Sequence, residues 1–157
     1  MTATSVANDP ARISARPSMV SVNSALEVDL FAQANAAHVR GRVHSGFGGQ
    51  SDFVSGALHS PGGQAIIALR SWHPKADCST IVPLLTEPAT SFQHTAIVTE
   101  NGTAELVGRT QEEQAEALVE HAAAPPARDM LREHAARLNA AGRPAAEPAA
   151  ASPRRPS

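Results

Sequence analysis

Apolar positions in this chain fall into two rhythms. Short apolar runs bounded by Gly, Pro, Asn, Asp or Ser come first, at Met19–Val22, Val28–Phe31, Ala65–Leu69, Ile81–Leu85 and Ala96–Val98, and such runs read as strands. Ala65-Ile66-Ile67-Ala68-Leu69 shows no polar alternation, the pattern of a strand covered on both faces of a parallel sheet. A helical rhythm then takes over. Thr110-Gln111-Glu112-Glu113 has the spacing of a capping box, in which the Thr oxygen accepts from the Glu113 N–H and the Glu113 side chain reaches back. Behind it Ala115, Leu118, Val119 and Ala122 form one apolar stripe at helical spacing. Pro125 and Pro126 end that helix, and Pro126 can open the next. There Met130, Leu131, His134 and Leu138 share a face and Gly142 is a C-cap candidate. A shorter helix is expected over Gly49–Ser60. Strands interleaved with one helix and closed by two more predict an α/β domain with a mixed, partly parallel sheet and flanking helices.

Composition fixes the limits of that domain. The 157 residues suit one domain rather than two. Residues 1–17 carry no apolar period and are expected to be a short lead. Residues 18–140 form the domain, and 141–157 are an Ala/Pro-rich tail too poor in large apolar side chains to offset the entropy of ordering. Thirteen Lys and Arg against fifteen Asp and Glu leave a net charge of −2, which argues against nucleic acid as a partner. With four Phe, one Trp and no Tyr, a base-stacking platform is not expected. No apolar run nears the roughly 20 residues of a membrane span, and the first residues lack the apolar core of a secretory signal. The single cysteine, Cys78, allows no internal disulfide. A cytoplasmic protein is the expectation.

Among the candidate chemistry, the loop Ser45-Gly46-Phe47-Gly48-Gly49-Gln50 stands out. Its glycines let backbone approach a ligand, and a helix starting just after them would add a positive dipole end suited to an anion or oxyanion. The plainer reading is a tight structural turn. Glu100-Asn101-Gly102 is likewise a strong turn signal, with Glu100 either solvated or presented at a strand end, where ligand crevices open in α/β sheets. Asn23 ends a strand and could offer its amide, or simply start a turn. The seven histidines form no metal-binding spacing, so no metal site is expected. Cys78 has no adjacent His, and no Gly-x-Ser-x-Gly elbow occurs.

Several segments together resemble one family. Asn8-Asp9-Pro10, Met19 to Leu30, the Gly46–Phe53 loop, Gly62-Gly63-Gln64 to Leu69, Ser79-Thr80-Ile81-Val82-Pro83 and Val98-Thr99-Glu100-Asn101-Gly102 occur in that order. They are similar to the C-terminal domain of the acetyl-CoA hydrolase/transferase family, over roughly residues 8–138. The resemblance implies a CoA-transferase-like fold and an enzyme that moves CoA between short carboxylic acids such as acetate or 4-hydroxybutyrate. The family's chemistry runs through a glutamyl-CoA intermediate, with CoA and acyl-CoA as substrates and no permanently bound cofactor. Carried over by motif, Gly46, Gly48, Gly49 and Gln50 line the CoA thioester, and Asn23 and Glu100 support the catalytic centre. The nucleophilic glutamate belongs upstream of Asn8-Asp9-Pro10, so an N-terminally truncated domain, inactive alone, is expected. A homodimer or a complementing N-terminal chain would follow as partner. The rival reading is a non-catalytic CoA-binding or scaffold module. Two departures, Arg70-Ser71-Trp72-His73 where Pro-Ser-Thr is common and Thr95 where His is common, bear on acyl preference rather than fold.

Overall fold

A computed structural model describes residues 3–46, 48–89 and 91–142, with side chains as far as Leu138. The expected tail lies outside the described residues, apart from the end of the last helix.

Two short helices open the chain, α1 (Thr4–Ala7) and α2 (Pro10–Ser14). Pro10 starts α2 behind Asp9, whose side chain accepts from the Ala11 N–H at 2.9 Å. This lead was expected to be weak for want of periodicity. It packs nonetheless, because one residue, Ile13, is 5% exposed and seats against Gly56. A single side chain leaves no period to read.

The remaining elements are β1 (Val20–Asn23), β2 (Glu27–Asp29), β3 (Ala34–Asn35), β4 (His38–Val39), β5 (Arg42–Val43), α3 (Gln50–Leu58), β6 (Gln64–Ala68), β7 (Trp72–His73), β8 (Cys78–Ser79), β9 (Ile81–Val82), β10 (Ala96–Thr99), β11 (Gly102–Glu105), α4 (Gln111–Ala117) and α5 (Arg128–Gly142). The main sheet has the order β1-β6-β10-β11. β1, β6 and β10 are parallel, and β11 returns antiparallel from β10. A second sheet, β3-β2-β9, is also mixed, and β4-β5 and β7-β8 are small hairpins. The mixed α/β architecture read from the sequence is the one observed. The run Ile81–Leu85 is shorter than expected: β9 stops at Val82, and the Leu85 N–H donates to Asp29 Oδ2 at 3.2 Å.

Among the described residues, the helices that touch the main sheet lie on one face. Ile67, Ile97 and Ala104, adjacent in register, point inward and meet Leu118, Val119 and Ala122. Ala65, on the same face, meets Val54 and Ala57 of α3. Leu118, Leu131, Ile67, Ile81 and Ile97 have no exposed surface, and each such side chain contributes about 1.5–3 kcal/mol by burial. The expected apolar stripe of α4 is the buried one, and both halves of the Thr110–Glu113 capping box form. α4 does not run regularly to Pro125. It passes into a π-helical turn, Leu118–Ala122, and a 3-10 turn at Pro125–Ala127 precedes α5. On α5, Leu131 is fully buried but Met130 remains 41% exposed, so the buried stripe is narrower than the apolar residues suggested.

Candidate functional site

The parallel strands end on one edge of the sheet, and that edge carries a hydrogen-bonded polar cluster. β6 runs out into Leu69-Arg70-Ser71, while β10 ends at the turn Glu100-Asn101. Ser71 is 1% exposed. Its N–H donates to Glu100 Oε2 at 2.9 Å and its hydroxyl to Glu100 Oε1 at 2.7 Å. The Asn101 amide donates to the same hydroxyl at 2.7 Å. Both Glu100 oxygens are therefore held by one buried residue, although the rest of the side chain is exposed.

The backbone of this turn is fixed from below. The Thr99 hydroxyl donates to the Ala122 carbonyl at 2.7 Å, inside the π-helical turn, and accepts from the Asn101 N–H at 3.2 Å. Gly102 has φ +143°, and a side chain there would meet the His121 carbonyl oxygen at 2.9 Å. Asn101-Gly102 is thus a turn, as its sequence says, and Glu100 is also a presented carboxylate. The two readings describe one object.

Hydrogen bonds from the Ser71 backbone and hydroxyl hold the Glu100 carboxyl below its ordinary pKa, with a smaller contribution from the Arg70 charge. Such bonds favour the charged form. Glu100 is accordingly an anion at neutral pH. Because its folded pKa is depressed, the stabilisation it lends is present above the ordinary carboxylate range and is lost as pH falls through the lowered value. Ser71→Ala removes one of the two clamps and should move the Glu100 titration upward, read by carboxyl-carbon NMR against pH. An unchanged midpoint would mean that Ser71 does not set the carboxylate's charge. Sequence reading met Ser71 only within the Arg70–His73 departure and gave it no part in the site, since only a contact 29 residues away gives it that meaning.

Asn23 ends β1 on the helix-covered face, with its amide turned back to the Ser21 hydroxyl at 2.9 Å. β6 lies between β1 and β10, and Asn23 stands in register with Ile67 and Ile97, so Glu100 lies two strand spacings across and three residues further along, roughly 14 Å away. The glycine loop stands at the start of α3, which precedes β6 through a short connection and packs against it. Gly49 is its N-cap and supplies no side-chain cap, while Asp52 lies in the first turn. Gly48 takes φ +57°, a left-handed conformation that favours glycine. Gly46 has open space where a side chain would stand, whereas a Cβ at Gly49 would come within 2.4 Å of Asn8 Nδ2. Gly49 is therefore in part a packing glycine, and Asn8, from the lead, is its neighbour. Among the described residues, no hydrogen bond joins the Gly46–Gln50 loop to Asn23 or Glu100.

Two concavities border these groups. One, of about 400 Å³, is lined by Gln50 and Ser51 of α3 with Ala36, His38 and Phe92. The other, of about 550 Å³, opens at the strand ends beside Ser24, Leu69, Arg70, Trp72 and Lys75, bringing two cations to the edge that holds Glu100. Away from this edge, His94 is buried, with one ring nitrogen 3.3 Å from the Ala32 carbonyl. Its burial pushes the imidazole pKa down. Cys78 is an exposed free thiol. Among the described residues, no three His, Cys, Asp or Glu side chains cluster to hold a metal, and no helix is long and apolar enough to cross a membrane.

Comparison with known proteins identifies the family and the fold. Residues 1–135 match the model of the acetyl-CoA hydrolase/transferase C-terminal domain. The chain is 41% identical over 116 residues to a 4-hydroxybutyrate coenzyme A transferase of Clostridium kluyveri, covering 71% of this chain and 27% of that protein. A succinyl-CoA:acetate CoA-transferase of the same organism is 36% identical over 131 residues, covering 82% of this chain and 23% of that protein. Among solved structures, RipA from Yersinia pestis superposes with a TM-score of 0.76 at 38% identity, over 84% of this chain and 30% of that one. The chain thus spans about a quarter to a third of the length of these relatives. On sequence and fold alike, it belongs to the acetyl-CoA hydrolase/transferase family and corresponds to that family's C-terminal domain.

Proposed function

We propose that this domain forms the CoA-thioester half of a site that moves CoA between short carboxylic acids. The observation that carries the reading is the Glu100 carboxylate, pinned by buried Ser71 at the edge where three parallel strands end. Ligand crevices of open α/β sheets form at that edge. The relatives' names, CoA-transferases for 4-hydroxybutyrate and for succinyl-CoA and acetate, supply the substrate class.

In this reading the thioester carbonyl lies against the glycine loop. The first N–H groups of α3, with Gly46, Gly48 and Gly49 beside them, stabilise the oxyanion that forms when the carbonyl is attacked. Gln50 borders the apolar concavity that takes the acyl or pantetheine chain. Arg70 and Lys75, in the cleft at the strand ends, attract the incoming carboxylate. Glu100 stays charged through the cycle and orients its neighbours. Asn23 offers its amide from the end of β1.

The nucleophile is a glutamate upstream of Asn8, in polypeptide other than these 157 residues. It attacks the acyl-CoA carbonyl and expels CoA thiolate to give an acyl-glutamyl anhydride. The thiolate then attacks the glutamyl carbonyl, releasing the acid and leaving glutamyl-CoA. A second carboxylate attacks the glutamyl thioester and expels CoA thiolate, which then attacks the new acyl carbonyl and frees the glutamate; with water instead, the thioester is hydrolysed to glutamate and CoA. A carboxylate nucleophile thereby divides one difficult exchange into easier steps.

Adding CoA to the isotope-labelled chain tests the binding half of this reading. Amide resonances of Gly46, Gly48, Gly49 and Gln50 should shift in a saturable way, together with those of Ser71 and Glu100. Shifts confined to other surfaces, or none at millimolar CoA, would reject the site.

A further inference from the structure

Beyond β6 the chain does not leave the edge where the parallel strands end. The Leu69 N–H still donates to the Val98 carbonyl at 3.0 Å, and the chain then turns into the β7–β8 hairpin. Thr80 holds the base of that hairpin. Its hydroxyl donates to the Arg70 carbonyl, and its N–H to the Ser71 carbonyl at 3.1 Å. Within the hairpin Trp72 pairs with Ser79 and His73 with Cys78. The Asp77 N–H closes the turn on the His73 carbonyl at 2.8 Å, and the Trp72 indole N–H donates to Asp77 Oδ1 at 3.1 Å. The one tryptophan of the chain is thus held in place immediately after the residue that clamps Glu100.

The cleft of about 550 Å³ beside this hairpin combines two kinds of lining. Leu26, Leu69, Trp72 and Pro74 are apolar, and Arg70 and Lys75 are cationic. Trp72 is half-buried and packs against the core, yet still lines the cleft. Arg70 and Lys75 are exposed and make no ion pair among the described residues. Pockets for drug-sized molecules span about 300–1,000 Å³, so acetate would leave most of this cleft empty.

We propose that the acid received in this cleft is an aromatic carboxylate, with its ring on Trp72 and its carboxylate on Arg70 and Lys75. This rests on the reading of the strand-end edge as the place where the incoming acid enters, and it adds which class of acid that is. An aromatic pair gains about two- to tenfold in affinity beyond the area it buries. The bond to Asp77 orders the indole beforehand, which lowers the entropy lost on binding. Charge favours a monoanion. The two cations are matched by two carboxylates at the same edge, Glu100, which feels the Arg70 charge, and Asp77, bound to Trp72. One carboxylate suits so balanced a site, whereas a polyphosphate calls for cations in excess.

Fluorescence of the single tryptophan reports this cleft directly. Phenylacetate titrated into the chain at constant ionic strength should change the emission saturably, with a Kd at least about tenfold below that of acetate. Trp72→Leu, followed through the Ser24 and Thr80 amide resonances, should weaken phenylacetate about fivefold or more and leave acetate unchanged. Trp72→Phe keeps a ring and should restore the preference, and Lys75→Gln should weaken both acids alike. Equal affinity for the two acids overturns the proposal, as does phenylacetate binding that survives Trp72→Leu. Benzyl alcohol binding as tightly as phenylacetate also overturns it, by making the cleft an apolar groove only. So does adenosine 3′,5′-bisphosphate displacing phenylacetate at lower concentration, which gives the cleft to a nucleotide. Should Trp72→Leu unfold the hairpin, nuclear Overhauser contacts between phenylacetate and the indole of the unaltered chain decide instead, and their absence counts against the proposal. The glycine-loop shifts with CoA are read in the same samples. If they are absent while phenylacetate binds, the thioester reading fails and the acid site stands. If they are present while phenylacetate behaves as acetate does, only the acid site fails.

Discussion

Gly63→Ala is expected to cost this domain on the order of 4 kcal/mol, in the range reserved for severe steric conflict. A Cβ there would stand 2.0 Å from the Ala57 carbonyl oxygen, 2.8 Å from Ser60 Cβ and 3.1 Å from the Ala57 carbonyl carbon. The obstructing atoms are mostly backbone at the end of α3, so no rotamer change relieves them. Nor can the chain step aside. The Gly63 N–H donates to the Ser60 carbonyl at 2.9 Å, and the next N–H, of Gln64, donates to Met19 at 2.8 Å, where β6 joins β1. Gly62→Ala is the natural comparison. Gly62 has φ +70° but only the Ser18 hydroxyl nearby, at 3.6 Å, so alanine costs the left-handed strain of about 1–2 kcal/mol. Thermal unfolding should therefore fall by more than about 10 °C for Gly63→Ala and by clearly less for Gly62→Ala. Equal shifts would show that the α3–β6 connection yields.

Gly46→Val should do the opposite, leaving the fold intact and damaging the site. Nothing lies within 4 Å of a Cβ at Gly46, and its φ is not left-handed, so stability should change by less than about 0.5 kcal/mol. In the proposed complex that open space belongs to the CoA thioester. A branched side chain should weaken CoA binding by about tenfold or more in calorimetry. In the enzyme where the domain is joined to its preceding polypeptide, kcat/KM should fall about 10²-fold, since small displacements of the reacting group cost that much. Gly49→Val cannot report as cleanly, because its side chain would first displace Asn8. If Gly46→Val binds CoA as tightly as the parent while melting at the same temperature, the loop is a turn and nothing more.

The elements legible in the sequence are those whose signal is local. The Thr110–Glu113 box and the stripe from Ala115 to Ala122 announced α4 because capping and helical periodicity act within a few residues. Three of the four strands of the main sheet, β1, β6 and β10, were visible as short apolar runs for the same reason, whereas β11, which has no such run, was not. What escaped was non-local or had no period. Ile13 anchors α2 alone. Asp29, 3% exposed, accepts from the Phe31 and Gln33 N–H groups at 3.0 Å and from Leu85 at 3.2 Å, tying together loops far apart in the chain. In the sequence it is only an Asp near a strand.

The candidate site divides along the same line. Its glycines and its Glu100-Asn101-Gly102 turn were singled out from residue types alone, because glycine and Asn-Gly carry conformational meaning wherever they occur. The sequence thus determined the mixed α/β class, the family, and the segments that could bear chemistry. Tertiary structure decided which of them converge. It set Ser71 under Glu100 across 29 residues, gave Gly49 a packing duty toward Asn8, and put the described helices on one face of the main sheet. Those outcomes depend on which strand lies beside which and which face the helices choose. Both are fixed by burial summed over the whole domain, a quantity that no short window of sequence contains.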